Sequence, residues 1–521
     1  MLRHAAAPRY CATMRSPPPV TPLEPAPRKS AMSRPHRLSK SRYTAGLQCH
    51  KQLWWKTHEP DAPELTPDPA QQAVFDNGTR VGELACSYFP GGVLIDRPFA
   101  EFEARLDDTR RAIENGASAI FEACLVAGEV FVAVDVLLRE RDGWRVIEVK
   151  SSTQLKPQHV PDAAIQVHVL RAAGLHVTGA DVMVLDRACT HPDLSNLFQR
   201  VDVTDSVESM LELVPSEVQR QLDMLAGPLP EVEIGPHCRQ PYPCPFASRC
   251  WPELPPHHVS TLFNSWRSVP ELLAQGYVTI AEVPDGVKLN AAADRQRRAV
   301  RSGRMIVEGA LAHAMQRFVG PLAYLDFETV QPAVPVWPGC HPYDAVPVQF
   351  SCHTERADGT LAHHQWVAEG DGDPRRELAL RVIEACRGAR TVVAYNMAFE
   401  RGCLERLAVA LPELSDELAH VIERLADPLP IVREHIYHPD FGGSFSLKAV
   451  LPALVPELSY DGLAIAEGVG ASNALLQLLF AGDTLASAER DALRTALLTY
   501  CERDTLAMVK LVERLRAIAG A

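Results

Sequence analysis

Three short acidic segments in the C-terminal half have the residue types of a metal-dependent hydrolase. Asp326 and Glu328 lie two positions apart at the end of an apolar segment, and Glu400 follows a second apolar segment. Tyr500 and Asp504 are four positions apart near the C-terminus. Hard divalent cations prefer carboxylate oxygens, and two such ions can activate water and stabilise the leaving oxygen of a phosphodiester. The pattern therefore predicts phosphodiester hydrolysis with two ions of Mg²⁺ or Mn²⁺, in which Tyr500 orients the water or the phosphate.

Local structure explains how these side chains can meet. Residues i and i+2 of a strand point to one face, so Asp326 and Glu328 address the same site. Residues i and i+4 of a helix share a face, which places Tyr500 beside Asp504. The sequence predicts three strands, a helix, a fourth strand and a second helix around these positions: 323–327, 346–353, 363–367, 375–387, 391–395 and 397–409. A last helix is expected over 488–518.

The C-terminal pattern resembles the DEDD exonucleases of the tyrosine subtype, which have an RNase H-like fold. The family's three motifs match, in order, Asp326 with Glu328, Asn396 with Glu400, and Tyr500 with Asp504. Asp427 matches a further acidic position of such folds. The family usually has Asp where this chain has Glu400. The resemblance implies 3′→5′ exonuclease activity, with Asp326, Glu328, Glu400 and Asp504 as metal ligands.

A second acidic pattern lies in the N-terminal half. Asp135 belongs to an apolar segment and precedes Glu148 and Lys150 in the order D-x(12)-E-x-K. On two strands of a hairpin, Asp135 and Glu148 are expected to share one or two divalent ions. Lys150 shares the face of Glu148 and is expected to hold the attacking water or to stabilise charge at phosphorus. Gln166 follows on the next helix.

This second pattern resembles that of PD-(D/E)xK nucleases, specifically RecB-like exonucleases, which have E-x-K followed by Gln. The resemblance runs from about residue 38 to residue 254 and implies a restriction-endonuclease-like fold. The expected αβββαβ elements are 71–89, 120–125, 130–138, 144–149, 163–173 and 182–185. RecB-like members commonly have a histidine ligand on the preceding helix, where this chain has Gly82. Glu83 and Glu122 are the candidate substitutes.

Four cysteines have the number of thiols that a metal centre requires. Cys238, Cys244 and Cys250 recur every six residues in a proline-rich segment, and Cys49 lies far upstream. This arrangement around an E-x-K domain resembles the iron–sulfur RecB-like exonucleases, whose cluster ties the two ends of the domain together. The resemblance implies a structural 4Fe–4S cluster. Zn²⁺ is the main alternative, although the spacing lacks the usual C-x(2)-C, and free buried thiols are a third.

The chain of 521 residues is too long for one ordinary domain. Residues 1–36 contain eight prolines and few large apolar side chains, which predicts a disordered basic tail, with Met32 as an alternative start. The expected α/β organisation is this tail, a RecB-like PD-(D/E)xK domain, a helical connector and an RNase H-like exonuclease domain: 1–36, 37–256, 257–320 and 321–521. The whole chain resembles an uncharacterised prokaryotic family, a domain of unknown function, with the same pairing.

Charge and composition constrain the partner. The net charge of −13 argues against nucleic acid, but residues 1–57 have eleven Lys or Arg and one acid, and residues 294–304 have five Arg and one Asp. No apolar run reaches the roughly 18 residues of a membrane span. The first thirty residues lack the apolar core of a secretory signal, and the thirteen cysteines are scattered. These features predict a cytoplasmic protein without a membrane partner.

The leading hypothesis is therefore a metal-dependent 3′→5′ DNA exonuclease with a second, RecB-like nuclease site. Single-stranded ends are the favoured substrate, because Trp54, Trp55 and Trp337 could stack on bases, although Trp54 and Trp55 equally suit a core. An RNA 3′ exonuclease is one alternative. A non-catalytic nucleic-acid-binding protein is the other, supported by Gly82 and Glu400. A helicase partner would suit a RecB-like domain, but no residue indicates one.

Overall fold

The computed structural model describes residues 38–356, 358–465, 467–480 and 485–520. The tail expected over residues 1–36 and the alternative start at Met32 lie outside these residues. The described chain has two separate large sheets surrounded by helices, which confirms the α/β class. Within this part of the chain, no helix combines the length and apolar character needed to cross a bilayer.

The N-terminal sheet has seven strands: β1 (Leu38–Ser39), β2 (Val93–Leu94), β3 (Ala119–Ala127), β4 (Val130–Glu140), β5 (Gly143–Val149), β6 (Val177–Leu185) and β7 (Phe198–Asp202). Their order is β2-β3-β4-β5-β6-β7, and β1 pairs with β4. Strands β3, β4 and β5 form an antiparallel meander, and β6 runs parallel to β5. Side chains of β4 alternate between buried and half-buried over most of its length, so that one face packs on the core.

Eight helices accompany this sheet: α1 (Lys40–Gln48), α2 (His50–His58), α3 (Pro69–Cys86), α4 (Phe102–Glu114), α5 (His159–Ala172), α6 (Thr204–Leu211), α7 (Val214–Leu225) and α8 (Ala247–Cys250). The expected αβββαβ order is confirmed by α3, β3, β4, β5, α5 and β6. Helix α4 was not predicted, because its sequence is mostly charged and only a thin stripe is apolar. Helix α5 is buried almost throughout, since it packs on β3, β4, β5 and β6.

The connector has short elements: α9 (Val269–Ala274), α10 (Ala291–Ser302), β8 (Ile306–Val307) and α11 (Leu311–Met315). The basic segment over 294–304 falls on α10, where Arg295 and Arg297 are buried. Arg295 donates to the Arg433 carbonyl at 2.8 Å, and Arg297 pairs with Asp294 at 2.5 Å. These two arginines therefore belong neither to a solvated helix face nor to a surface for nucleic acid. Their guanidinium groups are buried and bonded to other groups of the protein.

The C-terminal sheet has five strands: β9 (Leu322–Val330), β10 (Val346–Glu355), β11 (Leu361–Val367), β12 (Thr391–Val393) and β13 (Leu425–Ala426). Its order is β11-β10-β9-β12-β13. Strand β10 is antiparallel to both neighbours, whereas β9, β12 and β13 are parallel. A further short strand, β14 (Ile436–Tyr437), pairs with β8 of the connector.

Seven helices belong to this part: α12 (Arg375–Cys386), α13 (Ala398–Ala410), α14 (Ser415–Glu423), α15 (Pro428–His435), α16 (Leu447–Leu454), α17 (Gly468–Phe480) and α18 (Ser487–Ala519). Helices α12 and α13 pack with β9, β10 and β12 in one core, while α18 packs on β9, β10 and β11. The expected strands and the long last helix are confirmed, although β12 is shorter than predicted.

The two sheet-containing parts touch through the segment that follows β9. The Tyr343 hydroxyl donates to the Ser151 carbonyl at 2.6 Å. Ala333 is buried in a small apolar cluster with Val81 and Leu185 of the N-terminal part. Helix α17 also lies against α3. Ser151 directly follows Lys150, so this contact reaches the end of the E-x-K strand.

Candidate functional site

Strand β9 presents two acids on one face. Its residues are buried except Asp326 and Glu328, which alternate with the buried Phe327 and are half-buried. The antiparallel partner β10 places Ser351 opposite Asp326 and Gln349 opposite Glu328. The alternation of a strand explains why an apolar core and an acidic site share the same nine residues.

Helix α18 brings the third acid. Carboxylate oxygens of Asp326, Glu328 and Asp504 all lie within 4.8 Å of one another. Burial and the neighbouring carboxylates raise the pKa of Asp326 well above its ordinary range and that of Glu328 to about 8. Burial also raises the pKa of Asp504. Carboxylates that repel one another in this way favour a bound cation.

Glu400 lies in the first turn of α13, beside this group but not within it. Its charge contributes to the raised pKa values of Asp326 and Glu328. Burial raises the pKa of Glu400 itself to about 8. Its Oε2 is buried and has no hydrogen-bond partner in the described chain. A buried carboxylate oxygen without a donor is an acceptor that a metal ion or its water could use.

Asp427 explains how the Glu400 helix is oriented. The backbone N–H groups of Asn396 and Met397 donate to its two carboxylate oxygens at 3.0 and 3.1 Å. Asn396 has φ 62°, so this turn needs such support. Asp427 also accepts from Leu429 N–H at 2.8 Å as the N-cap of α15. Its role is to position the second motif.

Two tyrosines and a lysine surround Asp504. Tyr460 donates to Asp504 Oδ1 at 2.5 Å, and this bond opposes part of the rise in the pKa of Asp504. Lys448 Nζ lies 3.1 Å from the Tyr500 hydroxyl. Burial and the charge of Asp504 raise the pKa of Tyr500, so its phenol stays protonated. Tyr460 was not predicted from the sequence.

A second group of possible ligands comes from β10, β11 and α18. His353, His363 and Glu502 have ligand atoms within 4.8 Å of one another. However, the two imidazole rings are stacked 4.3 Å apart with an angle of 18°, so their in-plane lone pairs do not converge. His353 bonds Thr505 Oγ1 at 2.8 Å, and His363 bonds Ser351 Oγ at 2.9 Å. These contacts join α18 to β10 and β11.

The N-terminal acids line a cleft of about 1080 Å³. Asp135 Oδ2 accepts from Val149 N–H at 2.7 Å, and Gln166 Nε2 donates to Glu148 Oε2 at 2.6 Å. Lys150 Nζ lies 2.8 Å from Glu148 Oε1. The structure thus brings together the four residues expected here. Glu83 and Glu122 also line the cleft.

Two charged residues of this cleft were missed by the sequence analysis. Lys40 Nζ is 2.8 Å from both carboxylate oxygens of Glu148 and 3.6 Å from Asp135 Oδ1. Asp162 Oδ2 accepts from Lys150 at 2.5 Å. Burial alone would raise the pKa of Glu148, but the ammonium groups of Lys40 and Lys150 outweigh it and lower that pKa. Burial and the charge of Glu148 raise the pKa of Asp135.

The fit to divalent ions therefore differs between the two acidic sites. The C-terminal carboxylates repel one another, and Glu400 adds an orphaned oxygen, so their donor set fits hard cations. In the N-terminal cleft, the place between Asp135 and Glu148 is filled by the Lys40 ammonium. That pair does not fit a divalent ion while Lys40 remains there.

The four cysteines meet at one closed cavity. Cys49 separates α1 from α2, and Cys250 ends α8. With Cys238 and Cys244 they line a cavity of about 10 Å³. In the described chain, however, these thiols are not among the groups whose ligand atoms lie within 4.8 Å of one another, whereas the sulfurs around a tetrahedral Zn²⁺ ion, each about 2.3 Å from it, lie roughly 3.8 Å apart. The thiols would therefore have to approach one another to bind a single Zn²⁺ ion. Burial, followed by the neighbouring thiols, raises the pKa of Cys244.

The tryptophans expected to stack on bases have other roles. Trp337 is buried at 2% exposure, so that prediction was wrong for it. Trp55 is buried against Phe246 beside the cysteines. Trp54 is half-buried, stacks on His58 and donates to the Gly227 carbonyl at 3.1 Å.

Comparison with known protein families finds a match in the C-terminal half of the chain. The family described as Domain of unknown function (DUF2779) matches residues 323–446. The match supports the expected resemblance to an uncharacterised family. It includes Asp326, Glu328 and Glu400 but ends before Tyr500 and Asp504. No curated protein matches this chain.

Proposed function

We propose that the protein is a metal-dependent nuclease whose C-terminal carboxylates hydrolyse phosphodiester bonds in nucleic acid. The observation that carries this proposal is the convergence of Asp326, Glu328 and Asp504, from β9 and α18, within 4.8 Å. Strand β9 and helix α18 are far apart in the sequence, and the folded chain brings their acids into one site. The strand order β11-β10-β9-β12-β13 places β9, with Asp326 and Glu328, at the centre of the sheet.

The residues around the acids have complementary roles in this proposal. Two divalent ions bound by the carboxylates would supply the water nucleophile and stabilise the leaving oxyanion. Tyr460 holds Asp504 Oδ1 in place. Tyr500 remains a hydrogen-bond donor at neutral pH, because burial raises its pKa, so it orients an oxygen rather than removing a proton. Lys448, 3.1 Å from that hydroxyl, supplies positive charge near the phosphate.

We propose DNA as the substrate, attacked from a single-stranded 3′ end, with an RNA 3′ end as the alternative. Phe399 directly precedes Glu400 and is 40% exposed. An exposed aromatic ring beside an acidic site offers a stacking surface for a terminal base. In the same proposal, Cys49, Cys238, Cys244 and Cys250 hold a structural 4Fe–4S cluster, or Zn²⁺ as the alternative, and the protein acts in the cytoplasm.

Asp326→Asn tests the assignment. Purified wild-type protein and variant are incubated with labelled single-stranded DNA, double-stranded DNA and RNA in the presence of Mg²⁺ or Mn²⁺. We expect the variant to lose at least about 100-fold in rate, because it lacks a proposed metal ligand. Asp416→Asn, at an exposed position of α14, is the matched control and should retain full activity. Binding of nucleic acid without hydrolysis by wild type would support the non-catalytic alternative instead.

A further inference from the structure

The position of Lys40 in the N-terminal cleft is set by strand β1 before it and by helix α1, which it begins. Strand β1 pairs with β4, with Leu38 beside Val130 and Ser39 beside Phe131. Ser39 then caps α1, its hydroxyl accepting from Arg42 N–H at 3.2 Å. Lys40 is therefore the first residue of a helix that starts next to the strand of Asp135.

Hydrogen-bond donors in the cleft reach three of the four carboxylate oxygens of the Asp135–Glu148 pair. Lys40 reaches both oxygens of Glu148, which also accept from Lys150 and Gln166. On Asp135, Oδ2 accepts from a backbone N–H, and Oδ1 faces Lys40 at 3.6 Å. The Glu148 side chain is only 1% exposed, so its ammonium partners compensate a charge that water does not reach. Glu148 is thus fully paired, and the remaining oxygen of Asp135 faces the same ammonium group at ion-pair distance.

The surroundings keep the ammonium of Lys40 in this place. Besides Asp135 and Glu148, the negative charge of Asp162 acts on Lys40. Lys150 is shared between Glu148 and Asp162 at 2.8 and 2.5 Å. Three carboxylates and two ammonium groups thus form one network, in which a divalent ion would add charge and remove a hydrogen-bond donor.

We propose that Lys40 is a built-in cation that closes the Asp135–Glu148 pair to divalent metal, so that this pair binds such an ion only after Lys40 is displaced. The N-terminal cleft is then silent in metal-dependent hydrolysis while Lys40 holds its place. This inference concerns a different site from the proposed C-terminal nuclease and does not depend on it.

Mn²⁺ binding in solution tests the proposal without using activity. The parent protein is Asp326→Asn/Asp504→Asn, which removes two acids of the C-terminal group. Bound Mn²⁺ is counted by electron paramagnetic resonance in this parent, with Lys40→Met and with Lys40→Arg. We expect Lys40→Met to gain about one Mn²⁺ per chain, with at least about tenfold tighter binding than the parent. Lys40→Arg keeps the cation and should gain none.

Thermal unfolding provides a second measurement on the same proteins. Lys40→Met removes one of the two ammonium partners of the buried Glu148 and the ammonium group that faces Asp135, so its melting temperature should fall below that of the parent. Mn²⁺ should raise the melting temperature of Lys40→Met much more than that of the parent. Adding Asp135→Asn to Lys40→Met should remove both the bound ion and this effect.

Two results would overturn the proposal. One is a folded Lys40→Met variant that gains no Mn²⁺. The other is Mn²⁺ binding in the parent that disappears with Asp135→Asn, because the pair would then accept an ion with Lys40 present. The second comparison decides the matter even where Lys40→Met fails to fold.

Discussion

At the scale of single residues, the acids of the C-terminal site follow from local spacing, but their partners do not. Asp326 and Glu328 are predicted to share a site because residues i and i+2 of a strand point to one face. Asp504 is predicted to join them because it shares a helix face with Tyr500. Tyr460 bonds Asp504 from 44 positions away, and Lys40 bonds Glu148 from 108 positions away. No short motif joins such pairs. Asp162 had a local signal, since it lies one helical turn before Gln166.

Variants of the two tyrosines near Asp504 distinguish a residue that only positions this carboxylate from one that takes a direct part in the reaction. Tyr460→Phe removes a hydroxyl that donates to this carboxylate, and Tyr500→Phe removes the hydroxyl that accepts from Lys448. If Tyr500 also orients the water or phosphate, its loss should lower kcat by about 10–100-fold with little change in KM, and more than the loss of Tyr460. Steady-state kinetics with both variants measures this difference. Equal losses would leave Tyr500 with a positioning role only.

The pH dependence of metal binding follows from the raised pKa values of the acids. Glu328 has its pKa raised from 4.5 to about 8 by burial and by Asp504, so the metal-free site holds protons at neutral pH. A metal ion must displace them, and its affinity should therefore rise from pH 6 until the pH passes about 8. Mn²⁺ titrations followed by electron paramagnetic resonance measure this trend. An affinity that is constant over this range would show that the carboxylates are already ionised.

At the scale of elements, the sequence predicted the central strands and the last helix but not every boundary. Strands β3, β4 and β5 were recognised because their apolar segments are separated by turn residues. Helix α4 was missed because charged residues cover most of its surface, whereas the range expected for the last helix, 488–518, agrees with Ser487–Ala519 of α18. The pairing of β8 with β14, from segments 130 positions apart, also needs the folded chain.

Helices α1 and α2 flank Cys49, one of the four cysteines of the proposed metal centre. Cys49 joins these helices, and Gln48 ties them to the cysteine loop by donating to the His237 and Tyr242 carbonyls at 2.8 and 2.7 Å. Cys49→Ser should release the bound metal and lower the melting temperature, because a structural metal centre stabilises the fold. Metal analysis and thermal unfolding of protein purified without oxygen measure both effects.

Cys86→Ser is the matched control for this experiment. Cys86 is half-buried on α3 and does not line the cysteine cavity. We expect it to retain the metal, with iron and a brown colour in wild type and control alike. Stoichiometric zinc in colourless protein would contradict the iron–sulfur cluster and support the Zn²⁺ alternative. Wild-type protein without metal would contradict both proposed metal centres.

At the scale of the whole molecule, the sequence predicted two unlike acidic sites but not that their domains are packed together. The segment after β9 buries Ala333 against Val81 and Leu185, and Tyr343 bonds the residue that follows Lys150. These contacts arise from loops without a recognisable pattern. The structure therefore places the E-x-K strand and the acidic strand β9 at the two ends of one interface.

Ala333→Asp tests how strongly this interface couples the two parts. A charge buried at this position without a partner costs roughly 3 kcal/mol, so the parts should separate and unfold in two transitions instead of one. Differential scanning calorimetry measures the number of transitions. Ala492→Asp, exposed on α18, is the control and should behave like wild type. A single unchanged transition in Ala333→Asp would contradict a tight interface.

In the proposed function, the C-terminal carboxylates act through metal ions on a nucleic-acid 3′ end. The most direct measurement is the rate at which 5′-labelled single-stranded DNA is shortened as Mg²⁺ is increased, for wild type and Asp504→Asn. We predict a ladder that shortens one nucleotide at a time from the 3′ end, saturates with Mg²⁺, and is slowed at least about 100-fold in the variant. Equal rates in wild type and Asp504→Asn, or full activity in a chelator, would contradict the account.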